Sequence, residues 1–522
     1  MVIRVKYKSF LPFSMTCIAV VSACISIIFI IKCRRNVNNI HFIEKIKHEG
    51  TAVLFNSVTF LFFFLPAAIL LYVCIQILPI KRKIPYQNLL LILLSLLFFE
   101  WADNGSIPVL RALILLNYVA ALLSQISKKF LLLGVVCNIG VLFYFKYLNT
   151  IFVWLSQLGL GSMALSDIIS PLGISFIIFH NISYLLDIYW GKAPINKNIL
   201  EIALYIVFFP KLIQGPIVKY HDFHSDLKIR HWNFSNFVDG VERFILGLSK
   251  KVLVADIIAL TVADIFERTY TGIDVPTAWL GSILYTLQIY IDFSGYSDMA
   301  IGLGKMFGFH LTENFNFPYS SLSITEFWRR WHISLGAWFR EYLYFPLGGS
   351  RKGNVYFKLM IVFLVTGIWH GSAIVFPLWG IAHGICVVVE RYAFSKPWYQ
   401  KIPKTVKWLG TMFIVNIGWI VFRTGNLDMF KTYLKNMLGL NSYPVAFQFS
   451  YYFTGRIIFL ICLSIFCMVV FSRPQVQNKL AVWNQNSKIF GTVKYTGLCL
   501  LLILSIFATV SSSYSPFIYF QF

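Results

Sequence analysis

Hydrophobic residues in this chain fall in long unbroken runs rather than at alternating positions. The runs lie near residues 13–31, 54–79, 87–100, 107–125, 130–147, 172–189, 239–265, 276–306, 357–393, 407–423, 456–471 and 494–512. A helix that crosses the hydrocarbon core needs roughly 20 apolar residues. Some runs are shorter than that and others have room for two helices, so the pattern predicts roughly eleven to fourteen membrane segments. A lipid-facing barrel would show short alternating stretches instead. The expected fold is therefore all-α, a polytopic helical membrane protein. Two places interrupt the pattern. Residues Phe208 to Pro216 place two prolines and a glycine inside an apolar stretch. Proline removes a backbone donor, and broken backbone is not tolerated against lipid, so this segment is expected to be re-entrant and shielded by protein. Residues Asn314 to Gly353 are too polar to span yet dense in aromatic side chains.

Composition agrees with that picture. Of 522 residues, 58% are hydrophobic and only 13% charged, against about half and about a quarter in soluble domains. The formal net charge of +23 does not indicate nucleic acid, because the lysines and arginines lie between the apolar runs rather than along one stripe. The positive-inside rule accounts for most of them. Lys81, Arg82 and Lys83, with Lys128 and Lys129, bracket a helical pair whose tip, residues 101–105, carries no positive charge. That tip and the loop at about 150–170 are expected outside. The basic stretches 217–230, 329–330, 351–352 and 391–407 are expected in the cytoplasm, where they could also attract a phosphate-rich donor. Nine cysteines are scattered without a CxxC pair, so they read as small buried hydrophobes and not as a metal site. His221, His224 and His231 fit no standard metal spacing and read as solvated.

Residues 1–52 read as an appendage to a single membrane domain at 53–522. The apolar stretch Met15–Ile31 is flanked by Arg4, Lys6 and Lys8 on one side and by Lys32, Arg34 and Arg35 on the other. It suits an extra anchor helix better than a cleaved signal, because no small-residue cleavage site follows it.

Three constellations could carry chemistry. From Glu326 to Pro346 a helical reading puts Trp328, His332, Leu335 and Phe339 on one face, with Arg329, Arg330 and Arg340 elsewhere. Such a helix could simply sit at the headgroups, but that role leaves the histidine unexplained. His370 follows Trp369 at the end of the run from Phe357, and His383 follows in Trp379-Gly380-Ile381-Ala382-His383-Gly384. Ionisable groups at membrane depth are rare and usually face a cavity, and a neutral imidazole suits the activation of a hydroxyl. Asp292 and Asp298 lie in another apolar stretch. They are expected to pair with arginines such as Arg329 or Arg330, the functional alternative being an aspartate that orients a histidine. No GxSxG elbow, HExxH motif or P-loop is present.

The run Ser323-Ile324-Thr325-Glu326-Phe327-Trp328-Arg329-Arg330-Trp331-His332-Ile333-Ser334-Leu335, continued by Tyr342 to Gly353, closely resembles the membrane-bound O-acyltransferase family. Within it the chain looks like the alginate O-acetylase and peptidoglycan O-acetylase branch. Phe208 to Tyr220, Asp292 to Gly302, Trp369-His370-Gly371 and Pro516 to Phe520 resemble that branch too, in family order. The resemblance implies helices around a central tunnel, with His370 as the counterpart of the catalytic histidine and His332 as the second active-site histidine. Trp328, Trp331, Arg329, Arg330, Trp369, Asp292, Asp298 and His383 complete the candidate substrate and tunnel residues. It further implies a location in the bacterial inner membrane lipid, no permanently bound cofactor, acetyl-CoA as cytoplasmic donor, and an exported polysaccharide as acceptor. A periplasmic or membrane-anchored partner acyltransferase commonly completes delivery. Relatives tend to open Met-Leu-Phe-Asn-Ser where this chain has Val53-Leu54-Phe55-Asn56-Ser57, which makes a mis-assigned start an alternative account of residues 1–52. D-alanyl transfer to teichoic acid is the rival within the family, and a transporter or flippase without chemistry is the rival outside it.

Overall fold

A computed structural model describes residues 54–103, 105–159, 168–440 and 448–511. The expected anchor at 15–31 and the motif at 516–520 lie outside the described residues. In the first half of the chain, α1 (Leu65–Ile77), α2 (Ile84–Ala102), α3 (Ile107–Leu123), α4 (Lys129–Gln157) and α5 (Ile174–Tyr189) lead into the short α6 (Ile199–Val207), α7 (Phe209–Leu212) and α8 (Tyr220–Lys228). Then come α9 (Phe234–Ser249), α10 (Asp256–Glu267), α11 (Val275–Met306), α12 (Ile324–Arg330), α13 (Ile333–Phe339), α14 (Val355–His370) and α15 (Val375–Ala393). The chain continues through α16 (Pro397–Lys401), α17 (Lys404–Thr424), α18 (Leu427–Met437), α19 (Phe449–Tyr452), α20 (Gly455–Phe471), α21 (Pro474–Asn486) and α22 (Lys488–Ser511).

The chain is a helical, multi-pass membrane protein. Among the described residues five helices are long and apolar enough to cross a membrane, and the bent pair α20–α21 makes up to six. Three shorter apolar helices, α3, α5 and α14, add to them. The remaining apolar runs are divided differently from a simple count of spans. The 239–265 run is two helices joined by a π-helical turn at Lys250–Ala255, and the 276–306 run is the single helix α11. The expected loop at 150–170 starts later than its polarity suggested, because α4 carries on to Gln157.

α11 is buried along almost its whole length, which is why its sequence is apolar without reading as a lipid-facing stripe. It packs closely on α9 through facing glycines. A Cβ at Gly247 would meet the Gly295 carbonyl oxygen at 2.5 Å, and one at Gly302 would meet the Gly240 carbonyl oxygen at 2.6 Å. Small residues at such a crossing let helix backbones touch.

The Phe208–Pro216 segment is sheltered by protein, as a broken backbone in a membrane requires. Every residue from Phe208 to Pro216 is buried. The Phe209 amide donates to the Ser95 hydroxyl at 3.1 Å, and the Ile217 amide to the Ser334 hydroxyl at 3.0 Å. Lys211, wholly buried, lies over the Tyr205 ring with Nζ 4.3 Å from its centroid.

Candidate active site

The polar, aromatic segment 314–353 folds as two short helices separated by an extended turn. Ser323 caps α12 by accepting from the Glu326 amide at 3.0 Å, and the Glu390 carboxylate on α15 receives the amides of Ile324 and Thr325 at 2.6 and 2.8 Å. α12 stops at Arg330 because the chain then pairs with residues 314–316. Phe315 and Trp331 form an antiparallel bridge, the Asn316 amide donates to the Arg330 carbonyl at 2.9 Å, and the Ile333 amide donates to the Asn314 carbonyl at 3.0 Å. His332 sits at the bend with φ of 45°, a left-handed conformation unusual for a side chain of this size. The single amphipathic helix expected over 326–346 is thus corrected: it is broken at Trp331 and His332. Even so, Trp328, His332, Leu335 and Phe339 all line one cavity of about 480 Å³.

That cavity has a basic mouth and a buried base within. Arg329, Arg340 and Arg391 line it and are exposed, whereas His332 is only 2% exposed. Nδ1 of His332 lies 3.0 Å from Oδ1 of Asn314, and its ring meets Phe293 edge-on at 4.8 Å. Burial pushes the imidazole down to about 3, so it is neutral near neutral pH. Thr366 on α14 also lines the cavity, and His370 follows it by one helical turn, about 6 Å along the axis.

His370 ends α14 and is held there by both backbone and rings. α14 and α15 touch at glycines: a Cβ at Gly367 would meet the Phe376 carbonyl oxygen at 2.4 Å, and one at Gly380 the Phe363 carbonyl oxygen at 2.3 Å. The last carbonyls of α14 have no partner within the helix. Lys146 on α4 caps them, donating to the carbonyls of Trp369 and, at 3.2 Å, His370, while the Tyr147 hydroxyl donates to the Ile368 carbonyl at 2.7 Å. The His370 ring, 5% exposed, is boxed by Trp369, Trp379 and Phe422 at 4.8, 5.4 and 5.0 Å between centroids. His332 and His370 are close enough to interact electrostatically.

His383 belongs to the same neighbourhood. The Trp328 indole donates toward its Nδ1 at 3.4 Å, and its ring lies 4.8 Å from Trp379. Gly418 on α17 makes room for it, since a Cβ there would come within 2.7 Å of Nε2. His383, Trp379 and Gly418 line a second, apolar cavity of about 370 Å³. Trp328 and His383 therefore stand between two cavities, and Trp379 joins that wall to His370. Trp331 is buried against Trp419, Phe315 and Phe327, and Trp369 against Phe179.

The two aspartates require a correction. Asp292 pairs with Lys251 at 2.7 Å, and Lys251 also binds Asp256 at 2.7 Å. Asp298 pairs with Arg243 and Lys250, both at 2.6 Å. Arg329 and Arg330 are not their partners: Arg330 bonds Glu326 and the Asn316 carbonyl, and Arg329 lines the cavity mouth. The partner cations come from α9 (Arg243) and from its junction with α10 (Lys250 and Lys251), far from 329–330 in sequence. Both aspartates thus fasten α11 to its neighbours.

His221 is likewise not solvated. Its amide and its Nδ1 both lie 2.9 Å from the buried Asp187 carboxylate, which also receives the Tyr342 hydroxyl at 2.8 Å. The ligand atoms of Asp187, His221 and Glu341 lie within 4.8 Å of one another. Lys192 and Lys219 already bind Glu341, so the group reads as a charge network that ties α5 and α8 to the turn after α13. Hydrogen bonds to Asp187 and then Asp222 push His221 up to about 9. A histidine raised on folding stabilises the protein fully below its ordinary value near 6.5, and the gain is lost as pH rises through about 9. The detergent-solubilised protein should accordingly lose melting temperature across that upper window, and His221→Gln should flatten that part of the profile. An equal fall in the variant would contradict this assignment.

A buried imidazole lining a cavity with exposed arginines, and a second buried imidazole near it in a helical membrane protein, is an arrangement suited to acyl or proton transfer. The membrane-bound O-acyltransferase family model matches residues 196–426. The chain is 36% identical over 497 residues to the probable alginate O-acetylase of Pseudomonas putida, covering 90% of this chain and 100% of that protein. It is 34% identical over 524 residues to the peptidoglycan O-acetyltransferase of Helicobacter pylori, covering 90% and 98%. The teichoic acid D-alanyltransferase of Bacillus subtilis is 27% identical over 379 residues, covering 67% and 90%. This chain belongs to the membrane-bound O-acyltransferase family and is an O-acyltransferase.

Proposed function

We propose that this protein takes an acetyl group from cytoplasmic acetyl-CoA and delivers it across the inner membrane for O-acetylation of an exported polysaccharide of the alginate or peptidoglycan kind. The observation that supports this reading is a buried histidine, His332, lining a cavity that also holds the exposed Arg329, Arg340 and Arg391, with His370 one helical turn beyond the cavity-lining Thr366. Guanidinium groups suit a phosphate-rich donor, and a closed interior keeps water from the thioester. His370 is the general base. It takes the hydroxyl proton as the acyl carbon–oxygen bond forms and the carbon–sulfur bond breaks, and the proton then passes to the leaving thiolate. His332 orients the reacting groups beside it. Names of relatives with acetyl chemistry, at 36% and 34% identity, favour acetyl over D-alanyl transfer at 27%. Delivery through a partner acyltransferase fits the same scheme.

Purified protein in lipid nanodiscs, given acetyl-CoA or a D-alanyl carrier-protein thioester, tests the donor. Thiol release and acyl transfer from acetyl-CoA alone are expected; turnover of the D-alanyl thioester instead would overturn the choice. In the same assay, Arg340→Ala combined with Arg391→Ala should raise the donor KM about tenfold, equivalent to about 1.4 kcal/mol, with kcat unchanged. An unaltered KM would remove the arginines from donor binding.

A further inference from the structure

Asn314, already met as the neighbour of His332 Nδ1, has been given no role so far, yet several bonds converge on its side chain. Its Oδ1 takes the Ser334 amide at 3.4 Å and the Ser334 hydroxyl at 2.9 Å, and it faces His332 Nδ1 at 3.0 Å. Its Nδ2 donates to the Ser297 hydroxyl at 3.1 Å. The orientation of the amide is fixed by chemistry. The Ser334 backbone N–H can only donate, so the atom it faces is the carbonyl oxygen. The Ser334 hydroxyl, for its part, accepts from the Ile217 amide at 3.0 Å and so has its own hydrogen to give to Asn314. An amide oxygen cannot donate, so the bond to His332 requires a hydrogen on Nδ1. In a neutral imidazole the other nitrogen is then an acceptor.

We propose that Asn314 is a positioning residue that locks His332, which lines the cavity, in the Nδ1–H tautomer, so that its Nε2 is the proton- and hydrogen-bond-accepting nitrogen. His332 thereby receives a substrate hydroxyl or another N–H, and it does not stabilise the thioester oxyanion as a donor. The left-handed backbone at His332 and the pairing of 314–316 with 330–333 are the frame that holds the two side chains in register. The tie from Ile217 through Ser334 makes the buried turn after α7 part of the same support. The catalytic consequence rests on the proposed acyl transfer; the tautomer does not, and the two can fail separately.

Nitrogen-15 solid-state NMR of histidine-labelled protein in lipid decides the point. Subtracting the spectrum of His332→Gln isolates one ring among the ten histidines. A protonated Nδ1 and a bare Nε2 are expected at neutral pH, and a protonated Nε2 would overturn the proposal whatever the activity. Asn314→Leu should populate the other tautomer and lower kcat at least tenfold while the donor KM stays within about twofold. Asn314→Asp, which keeps an acceptor in place, should restore the Nδ1–H tautomer and most of kcat. Should Asn314→Leu fail to fold, Asn314→Asp alone still decides: loss of the Nδ1–H signal there contradicts the assignment. A wild-type spectrum in Asn314→Leu would also overturn it.

Discussion

His370→Ala protein should fold, hold its donor and transfer acetyl groups about a hundred- to ten-thousand-fold more slowly than the parent, the range set by loss of a general base. The reason lies in the ring's setting. His370 stands at the end of α14, its backbone carbonyl held by Lys146 and its imidazole enclosed by Trp369, Trp379 and Phe422. Removing the ring leaves a small gap in an aromatic box and takes away neither the arginines at the mouth nor the glycine contact between α14 and α15. The loss should therefore fall on kcat, with the donor KM nearly unchanged. Single-turnover release of the donor thiol, measured beside the melting temperature, separates the two effects. A folded variant retaining more than half of the parent rate would remove His370 from the chemistry.

The second large effect is on stability and comes from Lys251. Its ammonium is 2% exposed and bridges Asp292, whose side chain is 3% exposed, to Asp256. Lys251→Met takes this cation away from the buried Asp292 and the half-buried Asp256. Breaking a buried pair in this way costs about 3–5 kcal/mol. Yield of folded protein in mild detergent and melting temperature should both fall clearly. Adding Asp292→Asn to Lys251→Met should recover part of the loss, because one buried negative charge is gone. Arg330→Met, at the position the sequence suggested as partner for these aspartates, should cost under about 1 kcal/mol, since the Arg330 side chain is 32% exposed and its ion pair is the local one with Glu326. Equal losses in Lys251→Met and Arg330→Met would contradict the pairing.

What could be read from the chain divides along physical lines. Helices and membrane character were legible because apolar runs respond to lipid over whole segments, and α2, α3, α5 and α17 lie close to the runs that announced them. Prolines at 210 and 216 marked a buried, broken segment for the same reason. The histidines were singled out by local oddity, an ionisable group beside tryptophan and glycine. Partnerships were not. Asp292 meets Lys251 across 41 positions and His332 meets Asn314 across 18, and no local pattern encodes such a meeting. The break at Trp331 was hidden because the 3–4 spacing of Trp328, His332, Leu335 and Phe339 satisfies a helix, whereas pairing with 314–316 places the same four side chains around a cavity. Lys146 could have been found: a lysine near the end of the apolar run 130–147 was an anomaly of the kind that singled out His370. Asn314, in a polar stretch, gave no such signal.

The most direct test of the account is the O-acetyl ester content of envelope polysaccharides, measured by mass spectrometry in three strains. These are a deletion of this protein, the deletion carrying the parent chain, and the deletion carrying His370→Ala at equal membrane abundance. Loss of esters on deletion, restoration by the parent and no restoration by His370→Ala are the predicted results. Full restoration by His370→Ala, or esters that survive the deletion, would contradict it.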